Sequence, residues 1–306
     1  CALPIFKQMI ETLNGYDNLI WEIGNACGDP SLEWQNHMIQ FIRDYEKGKP
    51  FQHPIWISDP LLNTDSNANR TKALFDSPAD AISSPGLNGD EKKLFDFPQK
   101  KVIMARNEIY HSDAPVIDHT WVWKCFVRGF NPIVLDPYRD IRVQSPDKPV
   151  PEYDRIRKAL GQTLLFSKTI QLEKMIPHNE LCSTGFCLAN PGQEYLAYQP
   201  ESEKLFWVDL PPGTYEVNLF CPLDGKIKTS IAVQSNEQKK QLIPIFFYGD
   251  VVAYIKQVDV KRQETQEETV RNSSEESSAE SNSGKSQEST TESKKTTQKG
   301  NSKKKK

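Results

Sequence analysis

The feature that most constrains this chain is a change of hydrophobic period near Pro177. Ahead of it, short apolar runs alternate with segments of helical spacing. Phe6 to Leu13 reads as a helix end, with Ile5, Met9, Ile10 and Leu13 on one side and Asn14-Gly15 as its stop. Leu19 to Gly24 is an apolar strand, and Ser31 is placed to cap a helix running to Lys47, in which Trp34, Met38, Ile42 and Tyr45 recur at helical spacing. Pro54 to Ser58 is a strand, Asp59 to Arg70 a polar loop, Ala79 to Ser84 a weak strand and Lys101 to Ile109 a clear one. Thr120 to Gly129 follows as a helix, Ile133 to Leu135 as a strand, and Tyr153 to Ile170 as a helix with Ile156, Leu160 and Leu164 aligned. Strands that alternate with helices predict a parallel sheet with helical crossovers.

Beyond Leu181 the period shortens. Gly185 to Leu188, Gln193 to Gln199, Lys204 to Leu210, Thr214 to Phe220, Lys226 to Val233 and two runs after Lys240 read as strands, separated by Asn190-Pro-Gly, Pro211-Pro-Gly and Leu223-Asp-Gly. About seven short strands at this spacing describe a β-sandwich. From Asp259 on, Ser, Thr, Glu, Lys and Gln leave almost no apolar surface to offset ordering entropy, so disorder is expected for 259–306. The predicted organisation is therefore 1–176, 177–258 and 259–306.

Composition narrows the partners. A net charge of −3 over 306 residues gives no electrostatic case for nucleic acid, and the closing Lys303 to Lys306 reads as a solvated end of a tail whose acids nearly balance its bases. No apolar run is long enough to cross a bilayer. The 6 cysteines lack zinc-finger spacing. There is no Gly-rich phosphate loop, no His-Glu-x-x-His and no Gly-x-Ser-x-Gly, so no cofactor or metal is expected. Asn69-Arg-Thr and Asn272-Ser-Ser match the N-glycosylation pattern, which is common by chance, and leave a secreted or extracellular location as the expectation.

In a β/α barrel the chemistry sits where strands end, which draws attention to Gly24 to Gly28. Asn18-Leu-Ile-Trp-Glu-Ile-Gly-Asn, Glu33-Trp-Gln, Tyr45-Glu-Lys-Gly-Lys-Pro, Gln52-His-Pro, the run from Trp121 to Pro132, and Leu135-Asp-Pro-Tyr fall in one order. Together they resemble clan-A glycoside-hydrolase-like barrels of the apiosidase and cellulase kind. Ser183-Thr-Gly-Phe-Cys-Leu-Ala-Asn-Pro-Gly-Gln-Glu-Tyr-Leu resembles the small β domain attached to them, labelled the collagen-binding domain of a collagenase. The resemblance runs from about Asn18 to Val233. It implies α/β plus β architecture: the C-terminal part of a (β/α)8 TIM barrel, strands four to eight, then a small antiparallel β-sandwich and a disordered tail. Strands one to three have no counterpart, so an N-terminally truncated piece of a longer protein is expected.

The resemblance also assigns chemistry. Such hydrolases set a proton donor after strand four against a nucleophile after strand seven. The family's Asn-Glu becomes Asn25-Ala26, which marks Ala26 as the position of a lost acid/base, while Glu108 falls at a nucleophile-like position. Glu108 has a second reading as the partner of Arg106. Asn25 and Asp136, at strand ends, are the candidate substrate contacts, with a turn start as the other reading of Asp136. Glu22 shares the parity of Ala26 but lies about 13 Å down the strand. It is expected to be an internal carboxylate paired to a base, out of reach of a sugar. Asp113, Asp118 and His119 either refill the site or cap the Trp121 helix, and Asp29 is a further candidate for a relocated acid. Trp21, Trp56, Trp121 and Trp123 offer flat faces to sugar rings but read mainly as core. His53 reads as structural, and Cys27 lacks an identifiable histidine beside it. Three functions stay open. They are a catalytically impaired carbohydrate-binding or carbohydrate-acting protein, an active glycosidase with a relocated acid, and a non-enzymatic module for glycan or an extracellular matrix polymer.

Overall fold

The computed structural model describes residues 3–24, 27, 31–59, 68–83, 101–107, 117–134, 151–236 and 240–258. Its first part is built from α1 (Leu3–Leu13), β1 (Trp21–Ile23), α2 (Leu32–Glu46), β2 (Ile55–Ser58), α3 (Ala68–Asp76), β3 (Ala81–Ser83), β4 (Val102–Asn107), α4 (His119–Val127), β5 (Phe130–Val134) and α5 (Pro151–Thr169). The strands form one parallel sheet in sequence order, β1-β2-β3-β4-β5. Side chains alternate across it. Ile23, Ile55, Ile57 and Ile82 face the helices and pack on Ile10 of α1, Met38, Ile39 and Ile42 of α2 and Leu74 of α3. Ile39, Ile55, Ile57 and Ile82 have no exposed surface, and burial of each contributes about 1.5–3 kcal/mol. The opposite face carries Glu22, Trp56, Ser58 and Arg106, as the registers Glu22↔Trp56, Trp56↔Ala81 and Ala81↔Val102 require.

That face is concave. Glu22 lies level with Val102, three strands away, and Arg106 is four residues further along. On a flat sheet the two Cα atoms would stand roughly 20 Å apart at the usual strand and residue spacings, farther than Arg and Glu side chains span. Arg106 Nη1 nevertheless meets Glu22 Oε1 at 2.9 Å. The sheet must curl and its strands tilt, as in the wall of a barrel.

Several local expectations needed correction. Part of the expected polar loop is α3, in which Thr71 and Leu74 are buried, and one polar and one apolar residue make too sparse a stripe to show helical period. β5 begins at Phe130 rather than Ile133, and Pro132 is accommodated because this strand lies at an edge of the sheet. Ser31 caps nothing with its side chain. Its backbone is already helical (φ −82, ψ −12), and its hydroxyl accepts from Gln35 Nε2 instead. Trp34 and Leu164 point outward, at 46% and 57% exposure, because the buried faces of their helices run through Gln35, Met38, Ile39 and Ile42, and through Ile156, Ala159 and Thr163.

The second part comprises β6 (Ile176–Pro177), β7 (Cys187–Asn190), β8 (Glu194–Gln199), β9 (Leu205–Asp209), β10 (Gly213–Cys221), β11 (Lys226–Ser235), β12 (Lys240–Pro244) and β13 (Val251–Gln257). Six strands form an antiparallel sheet in the order β11-β10-β13-β8-β7-β6, and β9 pairs with β12 in a ribbon. On one face of the six-stranded sheet Tyr195, Ala197, Tyr215, Val217, Leu219, Val251, Ala253 and Ile255 pack on Phe206, Val208 and Ile243 of the ribbon. On the other face Leu196, Tyr198, Phe220 and Val252 pack on Trp121, Trp123 and Val127 of α4 and on Ile156 and Ala159 of α5. With both faces covered, every residue of β8 is buried. Helices α4 and α5 thus serve both sheets, since Ala105 of β4 and Phe130 of β5 belong to the same apolar cluster. Trp123 sits at its centre, fully buried, with Phe166, Tyr198 and Phe220 rings at 5.4, 6.1 and 6.0 Å. The apolar core therefore runs continuously across Pro177, and residues 1–258 make one compact unit.

Candidate functional site

Glu22 anchors the polar group on the concave face. Its Oε1 accepts from Ser58 Oγ at 3.0 Å and from Arg106 Nη1 at 2.9 Å. The Arg106 guanidinium also lies 5.7 Å over the Trp56 ring, a cation–π contact that holds it against the sheet. Arg106 is largely enclosed, with 12% of its side chain exposed, whereas 33% of the Glu22 side chain is open. Ser58 is the last residue of β2 and Arg106 the next to last of β4. The carboxylate therefore lies at the carboxyl ends of the strands, the end at which β/α barrels hold their sites. Its pairing to a base matches the sequence-based expectation. β1 ends at Ile23, one residue beyond Glu22.

Gly24 ends that strand. With φ +71° it occupies the left-handed region open to glycine, and a Cβ there would stand 2.5 Å from the Cys27 sulfur and 3.8 Å from Gln35 Cδ. Cys27, exposed to solvent, thus lies beside the strand end. Gln35 is 1% exposed, and its Oε1 is enclosed without a hydrogen-bond donor.

At the opposite end of the same strands lies a sealed ion pair. Glu46 accepts from His53 Nδ1 at 2.7 Å, the His53 backbone N–H at 2.8 Å, Trp21 Nε1 at 3.1 Å and Asn14 Nδ2 at 3.3 Å. His53 Nε2 faces the Tyr16 carbonyl at 2.8 Å. A ring with acceptors at both nitrogens carries both protons. Burial works to lower the His53 pKa, but the bonds to Glu46 and Tyr16 outweigh it and raise the pKa overall. Burial likewise works to raise Glu46, and the bonds from His53 and Trp21 leave it lowered. Both side chains are only 2% exposed. The sequence reading of His53 as structural fits this geometry.

Asp118 and His119 resolve into structural roles too. Asp118 caps α4, accepting from the backbone N–H groups of Thr120 and Trp121 at 2.9 and 3.1 Å. Burial works to raise its pKa, but the hydrogen bond from the Thr120 hydroxyl at 2.6 Å and these backbone bonds leave it lowered. His119 Nε2 lies 3.2 Å from Asp250 Oδ1, and that contact raises its pKa against the effect of burial. Asp250 Oδ2 accepts from Tyr198 Oη at 2.8 Å, and burial holds the Tyr198 phenol well above its usual pKa. This chain of groups ties α4 to the six-stranded sheet. Trp121 and Trp123 are core, as expected, and Trp21 is buried against Glu46.

Asn25, Ala26, Asp29, Glu108, Asp113 and Asp136 lie outside the described residues. Sequence reasoning did not single out Ser58 or Asp250. Ser58 ends a short strand and Asp250 follows a Gly, and neither pattern distinguishes a site residue from a turn. Among the described residues no group of three or more His, Cys, Asp or Glu is placed to hold a metal ion, and no described helix is long and apolar enough to cross a membrane.

A curled parallel wall with helices on its convex face and polar side chains at the strand ends, joined to antiparallel sheets, is a glycoside-hydrolase type of fold. Solved structures bear this out. The chain matches a protein titled "Glycoside hydrolase" with a TM-score of 0.56 at 13% identity, over 82% of this chain and 67% of the other. It matches a glycoside hydrolase family 5 protein from Bacteroides vulgatus ATCC 8482 with a TM-score of 0.54 at 14% identity, over 82% and 65%. The chain thus spans about two thirds of the length of these proteins. At such identity the likeness is one of fold. No family model matches the sequence, and no curated protein matches it.

Proposed function

We propose that this protein binds carbohydrate through a glycoside-hydrolase-like wall that no longer performs ordinary acid-assisted hydrolysis. The likeness of fold to solved glycoside hydrolases carries the reading, together with the sequence resemblance, which puts Ala26 where the proton donor of such enzymes would stand. Glu108 is the nucleophile-like carboxylate, and Asn25 and Asp136 contact the sugar. In the same reading 1–176 is five-eighths of a barrel and 177–258 a β-sandwich of the collagen-binding type, secreted with the rest.

The test uses a printed array of neutral oligosaccharides together with aryl glycosides. Retention on glycans without turnover is expected, with turnover appearing in Ala26→Glu. Hydrolysis by the wild type that Ala26→Glu does not raise would instead establish an active glycosidase with a relocated acid. No retention on any glycan would sink the reading. A second reading, a non-enzymatic glycan or matrix contact through the β part, is favoured by the outer face of the β9–β12 ribbon. There Leu205 and Leu242 are 54% and 64% exposed, and Lys240 lies 4.4 Å over the ring of Trp207. Loss of retention in Trp207→Ala, with Glu108→Gln unchanged, would select it.

A further inference from the structure

Glu22 was expected to lie too deep to meet a ligand, yet the strand that carries it ends one residue beyond it. β1 is three residues long, and the chain leaves the sheet at Gly24. The Glu22 carboxylate meets Ser58 at the very end of β2 and Arg106 one residue before the end of β4. Both contacts fall on the same oxygen, Oε1. Among the described residues no donor reaches Oε2, and a third of the side chain is open on the concave face. A carboxylate built only as ballast for Arg106 would present both oxygens to the fork of the guanidinium, the strong bidentate form. Here the guanidinium lies over the Trp56 ring and meets Glu22 through Oε1, so that among the described residues Oε2 has no donor.

We propose that Glu22 is a ligand-contact residue of this site, its Oε2 accepting a hydrogen bond from a hydroxyl of a neutral sugar, with Ser58 and Arg106 as the residues that position it. The chemistry of the group selects that class. An ionised carboxylate is acceptor-only, so it suits a partner that offers hydroxyl donors. It repels a second carboxylate or a phosphate, and the adjacent Arg106 already supplies its cation. Charge-assisted hydrogen bonds of this kind are roughly twice as strong as neutral ones. Ser58 and Arg106 hold the carboxylate in one rotamer, so little freedom remains to be lost on binding. The inference rests on the carbohydrate reading above and names a contact within it. It assigns Glu22 no part in bond cleavage.

The experiment compares the full chain with Glu22→Gln and Ser58→Ala on the oligosaccharide array, with thermal melting alongside. Wild-type retention on a subset of glycans is expected, reduced at least tenfold in Glu22→Gln and several-fold in Ser58→Ala, with melting temperatures close to wild type. Direct contact is read by carbodiimide labelling of carboxyls followed by mass spectrometry. Glu22 should label in the free protein and be protected by the retained oligosaccharide, while the sealed Glu46 stays unlabelled in both. If the wild type is retained and Glu22→Gln is retained equally, the inference fails and the carbohydrate reading stands. Should Glu22→Gln melt early, Ser58→Ala and the labelling decide, and unchanged retention or absent protection overturns the proposal. If the wild type is retained nowhere, both readings fall together.

Discussion

Trp21 and Glu22 are neighbours in sequence, yet each feeds a different acid–base pair. Trp21 donates to Glu46, whose partner is His53, and Glu22 itself pairs with Arg106. The first pair is sealed at one end of the sheet, and every nitrogen of His53 has an acceptor. The second lies on the concave face at the strand ends, a third of its acid open and, among the described residues, one carboxylate oxygen without a donor. A buried charge pair contributes little beyond a hydrophobic substitute, but losing one partner is costly because the other is left uncompensated. A half-open pair loses little when broken, since water replaces the partner. The contrast separates a pair sealed within the fold from one whose acid is open to the concave face.

The comparison breaks most visibly at Glu46. Glu46→Ala is expected to destabilise the protein by about 3–5 kcal/mol, because it strands the buried His53 imidazolium; denaturant unfolding measures this, and a loss below about 1 kcal/mol would mean that the pair is not ionised. The same pair predicts a pH window. His53 is raised above its usual 6.5, so its contribution is whole below 6.5 and drains away as pH rises through the folded value. Glu46 is lowered below its usual 4.5, so its contribution is whole above 4.5 and is lost as pH falls through the folded value. The stability from this pair should therefore plateau between 4.5 and 6.5, and the plateau should vanish in the Glu46→Gln, His53→Gln double variant.

An intermediate case sharpens the contrast. Asp250 is 3% exposed in its side chain and His119 15%. Asp250→Asn keeps an acceptor for Tyr198 but drops the contact with the histidine, for an expected cost of about 1–3 kcal/mol. Because α4 joins both sheets, far-UV and near-UV signals should shift together on melting. Glu22→Gln completes the series with the smallest effect on stability, up to about 1 kcal/mol. A loss as large as that of Glu46→Ala would erase the distinction between the two pairs.

Much of the wall was legible from local pattern. The apolar alternation at Leu19 to Gly24, Pro54 to Ser58 and Lys101 to Ile109 located β1, β2 and β4 to within a few residues, because a strand with one apolar face carries its own period. The pairing of Glu22 with a base was also legible, since an acid inside an apolar run must find a partner. Its position was not. Depth depends on where Gly24 turns the chain out of the sheet and on how far the sheet curls, and neither is a property of the strand alone. Ser58 and Asp250 escaped notice for the same reason: each gains meaning only from a partner on a distant strand or helix.

The sequence by itself determined the alternation of strand and helix up to Gln171 and the switch to period-two strands after Leu181. These are local, and hydrophobic period and residue identity suffice to state them. Only the tertiary structure decided that α4 and α5 serve two sheets at once, that Trp123 fills their common core, and that the Glu22 carboxylate lies at the strand ends between Ser58 and Arg106. Each of these turns on which side chains meet across many residues of chain, and a meeting of that kind is fixed by packing and sheet curvature rather than by any stretch of sequence.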